Sequence, residues 1–315
     1  MPRIGTSDLH VFPLALGGNV FGWTADESTS HEVLDAYVAG GGNFIDTADA
    51  YSAWAPGNSG GESESVIGSW LAKSGKRDDV IIGTKVSQHP DFKGLSADNV
   101  AKAARASLKR LGVDTIDLYW AHFDDKETPL EETVRAFDQL VKEGLVRYTA
   151  ISNYDADRAQ QWIDIANGNG LAAPVALQPH YNLVTREPYE GTLAPIAHKE
   201  HLGVVPYFAL AAGFLTGKYR SKEDFAGKDR EGQLQGYFSE QGLAVVDALA
   251  TVADAHGAEI ASVALAWLQA QPDIAAPIAS ARNLEQLPAL LASAELELTA
   301  DELKALSTAS DAIEA

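Results

Sequence analysis

The sequence predicts an α/β fold built as one (β/α)8, or TIM, barrel, and three observations carry that expectation. Eight short apolar runs alternate with eight longer stretches whose apolar residues recur three and four apart, from end to end of the 315 residues. The runs are continuously apolar, as strands of a parallel sheet are when both faces are covered. Eight strand–helix units in one chain favour a closed barrel over an open sheet, and such barrels reach this length around a single core. One domain over residues 1–315 is therefore expected.

In chain order, residues 1–12 precede the first run and read as a short hairpin capping the barrel floor. The expected strands are residues 14–16, 43–46, 80–84, 116–120, 146–151, 175–178, 204–207 and 274–277. The stretches predicted as helices are residues 32–39, 62–72, 98–111, 130–142, 155–166, 192–199, 258–269 and 284–291. Residues 208–257 form an oversized insertion after the seventh strand, with a helix near residues 240–256. Residues 298–313 read as an extra C-terminal helix. Thr299 suits its N-cap, and Asp301 and Glu302 in the first turn complement the helix dipole.

Composition narrows the function classes. The net charge is −20, from 24 Lys and Arg against 44 Asp and Glu. That excess works against binding nucleic acid or an anionic membrane, both of which need clustered positive charge. An anionic cofactor would need a local basic site. With no cysteine there are no disulfides, thiolate metal sites or cysteine nucleophile. The start, "MPRIGTSDLHVF", lacks the charged and apolar regions of a signal peptide. No run approaches the roughly 18 apolar residues of a membrane span, so a cytoplasmic protein is the expectation.

In such a barrel chemistry gathers at the C-terminal ends of the strands. Strand two ends in Asp46, with Tyr51 in the following loop, strand three in Lys85 and strand four in His122. Strand five ends in Ser152 and Asn153, strand six in Gln178 and strand seven in Tyr207. Taken singly, each has an ordinary explanation: a turn-forming aspartate, a solvated lysine, a structural histidine, a tyrosine packed at a rim. Those explanations weaken because Asp46, Tyr51, Lys85 and His122 come from three successive strands at one end of one barrel. A lysine cation beside the phenol would lower its pKa from about 10. An aspartate would keep that lysine charged, and His122 could orient a carbonyl oxygen. Together they suit acid catalysis with stabilisation of a developing alkoxide.

At these residues the sequence closely resembles the aldo-keto reductase superfamily. The matching stretches are "GGNFIDTADAY", "GTK", "DLYWAH", "VRYTAISNY", "ALQPHYNLVTRE", "LAAGFLTGKY" and "PIASARNLEQL", in order over residues 5–295. The resemblance implies a catalytic tetrad of Asp46, Tyr51, Lys85 and His122, and NADP(H)-dependent reduction of an aldehyde or ketone. It implies NADPH, with NADH possible, bound across the barrel mouth without a Rossmann domain. By that likeness Ser152, Asn153 and Gln178 hold the carboxamide and Tyr207 stacks on the nicotinamide. Leu210, Gly213, Leu215 and Lys218 strap the pyrophosphate, and Ser280 and Arg282, with Gln286 nearby, receive the 2′-phosphate end. Arg282 follows strand eight, where such barrels often bind phosphate, and a guanidinium suits that anion. Members often carry a Glu-Asn pair after this "EQL", whereas this chain has Pro288, Ala289 and Leu290. Adenine recognition, and the choice of NADPH over NADH, stay open on that point.

Other signals are weaker. "LALGGNVFG" imitates a dinucleotide fingerprint, but Gly17, Gly18 and Gly22 do not fit G-x-G-x-x-G, and polar residues 24–30 separate them from the next helical pattern. Gly18 and Asn19 can still line a site. His180, His198, His201 and His256 lack metal-ligand spacing, so no metal site is expected. Trp23, Trp54 and Phe123 suit the wall of an apolar carbonyl pocket, and Trp120 suits the barrel interior. Two rivals to a reductase remain: a cofactor-binding sensor of the channel-subunit kind, and an aldolase using Lys85 as a Schiff base. Asp46, which would keep Lys85 protonated, argues against the second.

Overall fold

The computed structural model describes residues 1–228 and 230–313. Its main sheet has eight parallel strands: β1 (Ala15–Gly17), β2 (Phe44–Asp46), β3 (Ile81–Val86), β4 (Ile116–Ala121), β5 (Val146–Ser152), β6 (Ala176–Gln178), β7 (Gly203–Val204) and β8 (Ile278–Ala279). From β1 to β7 each strand pairs with its neighbour in sequence, and β8 pairs with β1, so that β7 and β8 form the two edges. Near the other edge Val204 bridges Ile274, the Ala275 amide donates to the Val204 carbonyl at 2.8 Å, and the Ile278 amide donates to the Pro206 carbonyl at 2.9 Å. These bonds join the sheet's two ends, consistent with a (β/α)8 barrel.

The two-residue period of the strands sorts their side chains. Phe44, Leu118, Trp120, Ala150, Ala176 and Val205 fill an inner cluster together with Ile4, Leu9 and Val11 from the N-terminal segment. There Arg3 and His10 form an antiparallel bridge. Ile45, Ile82, Tyr119 and Ile151 instead join the larger cluster between sheet and helices. By this alternation Asp46 shares the inward face of Phe44, Lys85 that of Gly83, and His122 that of Trp120.

Helix Glu27–Ala39 begins five residues before the apolar periodicity does, inside the polar stretch read as a loop. Asp26 caps it by accepting the Thr29 amide, so the polar residues form its exposed first turn. Helices Glu62–Ser74, Ala97–Leu111, Leu130–Lys142, Ala156–Asn169, Ala194–Lys199 and Ile260–Gln269 follow the predicted stretches within a few residues. Residues 284–291 divide into a short 3-10 turn and helix Leu287–Ala292. Between β7 and β8 the chain also forms helix Glu240–His256. The last helix, Ala300–Asp311, is capped by Thr299 in a reciprocal box with Glu302. The sequence reading missed the small antiparallel pair Gln88–His89 and Phe92–Lys93 after β3. Its strands are too short to carry an alternation signal.

Candidate active site

The inward alternation of β2 and β3 brings Asp46 and Lys85 together inside the mouth, both without solvent exposure. The Lys85 ammonium donates to Asp46 Oδ2 at 2.5 Å, to the Thr47 carbonyl at 2.7 Å and to the Tyr51 hydroxyl at 3.0 Å. All three of its donors are satisfied, as a buried ammonium requires. Gln178, at the end of β6, donates to the other Asp46 oxygen at 3.1 Å, so the carboxylate is held from two sides. Tyr51 reaches this point because "TADA" turns back over the strand end, with the Asp49 amide bonded to the Lys85 carbonyl. The His122 ring packs edge-on to the Tyr51 ring, their centroids 6.1 Å apart.

Electrostatics set the protonation states. Burial pulls the Lys85 ammonium down, but Asp46 and Tyr51 outweigh it and leave it above the usual lysine value. Burial raises the Asp46 carboxyl, with Lys85 and Gln178 opposing. For Tyr51 burial is again the largest influence and raises the phenol, Lys85 pulls it down, and Asp46 adds to the rise. The net direction is upward, contrary to the lowering expected from the sequence. Lys85 acts in the foreseen sense, but the cost of burying a phenolate exceeds its effect. Tyr51 is therefore a neutral phenol at neutral pH, with a proton to give. Burial first and the Lys85 charge second hold His122 well below the usual imidazole range, so its ring is neutral. Its Nδ1 is buried, with no hydrogen-bond partner among the described residues.

The adjoining wall is one connected polar network. Ser152 donates to the Gln178 carbonyl at 2.9 Å, while Asn153 Nδ2 donates to the His122 carbonyl at 2.8 Å and contacts Ser152 Oγ. Asn153 adopts a left-handed φ of 55°, which asparagine tolerates better than most residues. The Tyr207 hydroxyl donates to Asn153 Oδ1 at 2.7 Å. Across the mouth, Ser280 donates to Asn19 Oδ1 at 2.6 Å. Gly18 lies against the Asp46 carbonyl, where an added Cβ would approach to 3.3 Å. Gln286 accepts the Arg282 amide at 3.0 Å.

In the segment after β7, Gly213 has φ +95° and leaves space that the folded-back Lys218 side chain occupies. Leu210 is half-buried, whereas Leu215 is fully buried. Lys218 and Lys228 lie 4.9 and 5.3 Å from the centroid of the Tyr219 ring. At the rim Trp23 and Trp54 pack edge to face with centroids 5.5 Å apart, and Trp54 also meets Tyr51. Phe123 tilts against His122 at 4.9 Å. Trp120 is wholly buried in the interior cluster. The sequence reading missed three supporting groups: the Thr47 carbonyl, the Glu64 carboxylate held by Thr84 and Arg110, and Ser87, whose hydroxyl accepts the Phe123 amide. None has a sequence signature, because each acts through a contact distant along the chain.

At the mouth of an α/β barrel, a buried Asp–Lys pair against a protonated tyrosine makes an acid–base site. The chain belongs to the aldo/keto reductase family, whose model matches residues 13–311. It is 32% identical over 328 aligned positions to Protein tas of Escherichia coli (strain K12), covering 96% of this chain and 94% of that one. It is 28% identical to the norsolorinic acid reductase of Aspergillus flavus, over 96% of this chain and 79% of that one. It is also 31% identical to a probable voltage-gated potassium channel subunit beta of Oryza sativa subsp. japonica, over 90% of this chain and 88% of that one.

Proposed function

We propose that the protein, a single domain over residues 1–315 acting in the cytoplasm, is an NADP(H)-dependent reductase of aldehydes or ketones. The observation that carries the reading is the Lys85 ammonium within 3.0 Å of the Tyr51 hydroxyl and 2.5 Å of Asp46. In this reading NADPH, when bound, supplies hydride to the carbonyl carbon. Tyr51 donates its proton to the carbonyl oxygen as negative charge develops there. Lys85 stabilises the phenolate left behind, and Asp46 keeps Lys85 charged and aimed. The neutral His122 orients the carbonyl oxygen, while Trp23, Trp54 and Phe123 exclude water from an apolar substrate. General acids in such positions contribute about 10²–10⁴-fold.

The donor set fits a phosphorylated dinucleotide. Lys218 is held below the usual lysine value, first by burial and then by the charges of Arg282, Arg230 and Lys228. Cations crowded together on a chain of net charge −20 are relieved by a polyphosphate. Ser152, Asn153 and Gln178 would hold the carboxamide, Tyr207 would stack on the nicotinamide, and Gly18 and Asn19 would line its approach. Leu210, Gly213, Leu215 and Lys218 would follow the pyrophosphate, with Ser280, Arg282 and Gln286 at the 2′-phosphate end. Purified protein mixed with NADPH and a panel of aromatic and aliphatic carbonyls should oxidise the cofactor. Absence of turnover on every member would sink the reductase reading. Similarity to the rice protein favours one second reading, a cofactor-bound subunit of a channel. Tight NADP(H) binding with no turnover would support it.

A further inference from the structure

We propose that His180 and Tyr237 are positioning residues for the Tyr207 ring, linking the segment between β7 and helix Glu240–His256 to the nicotinamide end of the cofactor site. The proposal rests on the dinucleotide reading above. His180 follows β6 two residues after Gln178 and pairs with Tyr207 in a parallel bridge. Its imidazole stacks on the Tyr207 ring, with centroids 5.3 Å apart and planes at 22°. Tyr207 is thus held at its hydroxyl by Asn153 and on one face by His180. The cofactor reading assigns the nicotinamide to the opposite face.

His180 is itself fixed from the far side. Its Nε2 lies 2.9 Å from the Tyr237 hydroxyl, and the Tyr237 ring meets it nearly perpendicularly at 6.3 Å. Phe208, in the left-handed region at φ 53°, tilts against both His180 and Tyr207. Asn182 ties this corner to the same segment by donating to the Phe208 carbonyl at 2.9 Å. Tyr237 also packs on Phe214, which belongs to the Ala211–Thr216 turn beside the basic cluster. A continuous set of contacts therefore runs from the turn through Tyr237, His180, Tyr207 and Asn153 to the His122 carbonyl. A shift of this segment over the phosphates would be transmitted to the platform under the nicotinamide and to the catalytic wall.

The test separates the two ends of the cofactor. NADP+ and adenosine 2′,5′-bisphosphate, which lacks the nicotinamide, are titrated by calorimetry into wild type, His180→Ala, His180→Phe and Tyr237→Phe. Losing the stack and the hydrogen bond in His180→Ala should weaken NADP+ about tenfold, and losing the bond alone in Tyr237→Phe about threefold. His180→Phe, which keeps a ring behind Tyr207, should recover part of the loss. The fragment should bind every folded variant within about twofold of wild type. NADP+ affinity unchanged in His180→Ala, or fragment affinity falling in parallel, would overturn the proposal. Wild type that binds neither ligand would overturn the cofactor reading, and the proposal with it.

Discussion

The two ends of the barrel both bury charge, and they treat it differently. At the floor Asp117 accepts Arg77 at 2.8 Å, Arg147 at 2.9 Å and the Ile82 amide at 2.9 Å. Arg77 also donates to the Val80 and Thr115 carbonyls, and Arg147 to Asp8. At the mouth, satisfied and unsatisfied groups sit side by side. Lys85 has its full set of acceptors, but among the described residues both Asp49 carboxyl oxygens and His122 Nδ1 are buried without hydrogen-bond partners. Burial leaves Asp49 well above the usual carboxylate range, with Glu64 adding to the rise. Burial leaves His122 well below the imidazole range. A network satisfied on every side holds a fold together, whereas perturbed groups gather where chemistry is done.

Substitutions at the two ends should separate accordingly. The largest expected effect is Tyr51→Phe, which should cut carbonyl-dependent NADPH oxidation by about 10²–10⁴-fold with cofactor affinity unchanged. The same group sets the alkaline limb. Because the Tyr51 phenol is raised, reduction should be level through neutral pH and fall only as pH climbs through that raised value. A limb near neutrality would assign the acid elsewhere. Next, Lys85→Met should lower turnover by less than Tyr51→Phe does, and should also destabilise the fold by about 3–5 kcal/mol in urea unfolding, because Asp46 is left buried and unpaired.

At the floor, Asp117→Ala should cost about 1–3 kcal/mol, chiefly for the Ile82 amide left unbonded. Arg77 and Arg147 are partly exposed, so solvent screens their loss. Turnover per folded molecule should stay near wild type, and a large drop there would break the division between the ends. The smallest effect belongs to Asp49→Asn. A carboxyl raised by folding contributes stability below its unfolded value of about 3.9 and loses it as pH rises toward the folded value. The asparagine variant should therefore gain Tm over wild type progressively above pH 4. A constant difference between pH 4 and 8 would mean that Asp49 is not the group responsible.

Much of this was legible along the chain. The eight apolar runs all fall at or beside barrel strands, and Thr299 and helix Glu240–His256 stand where the periodicity put them. Strand ends pointed to Asp46, Lys85 and His122 because a two-residue alternation carries a side chain inward wherever its neighbour two back is inward. Three things were not legible. Helix Glu27–Ala39 starts in polar residues because a cap and an exposed first turn need no apolar periodicity. The small pair at Gln88–His89 and Phe92–Lys93 is too short to leave a pattern. His180 looked like an unattached histidine, since Tyr207 and Tyr237 lie 27 and 57 residues further along.

By itself the sequence determined the family, the barrel and the residue types at the mouth, because local periodicity and motif order are properties of neighbours in the chain. Only the tertiary structure decided the balance of forces on those residues. Whether Lys85 or burial prevails at Tyr51 depends on how completely water is excluded from a point where β2, β3 and β4 converge. That exclusion is set by the packed barrel as a whole.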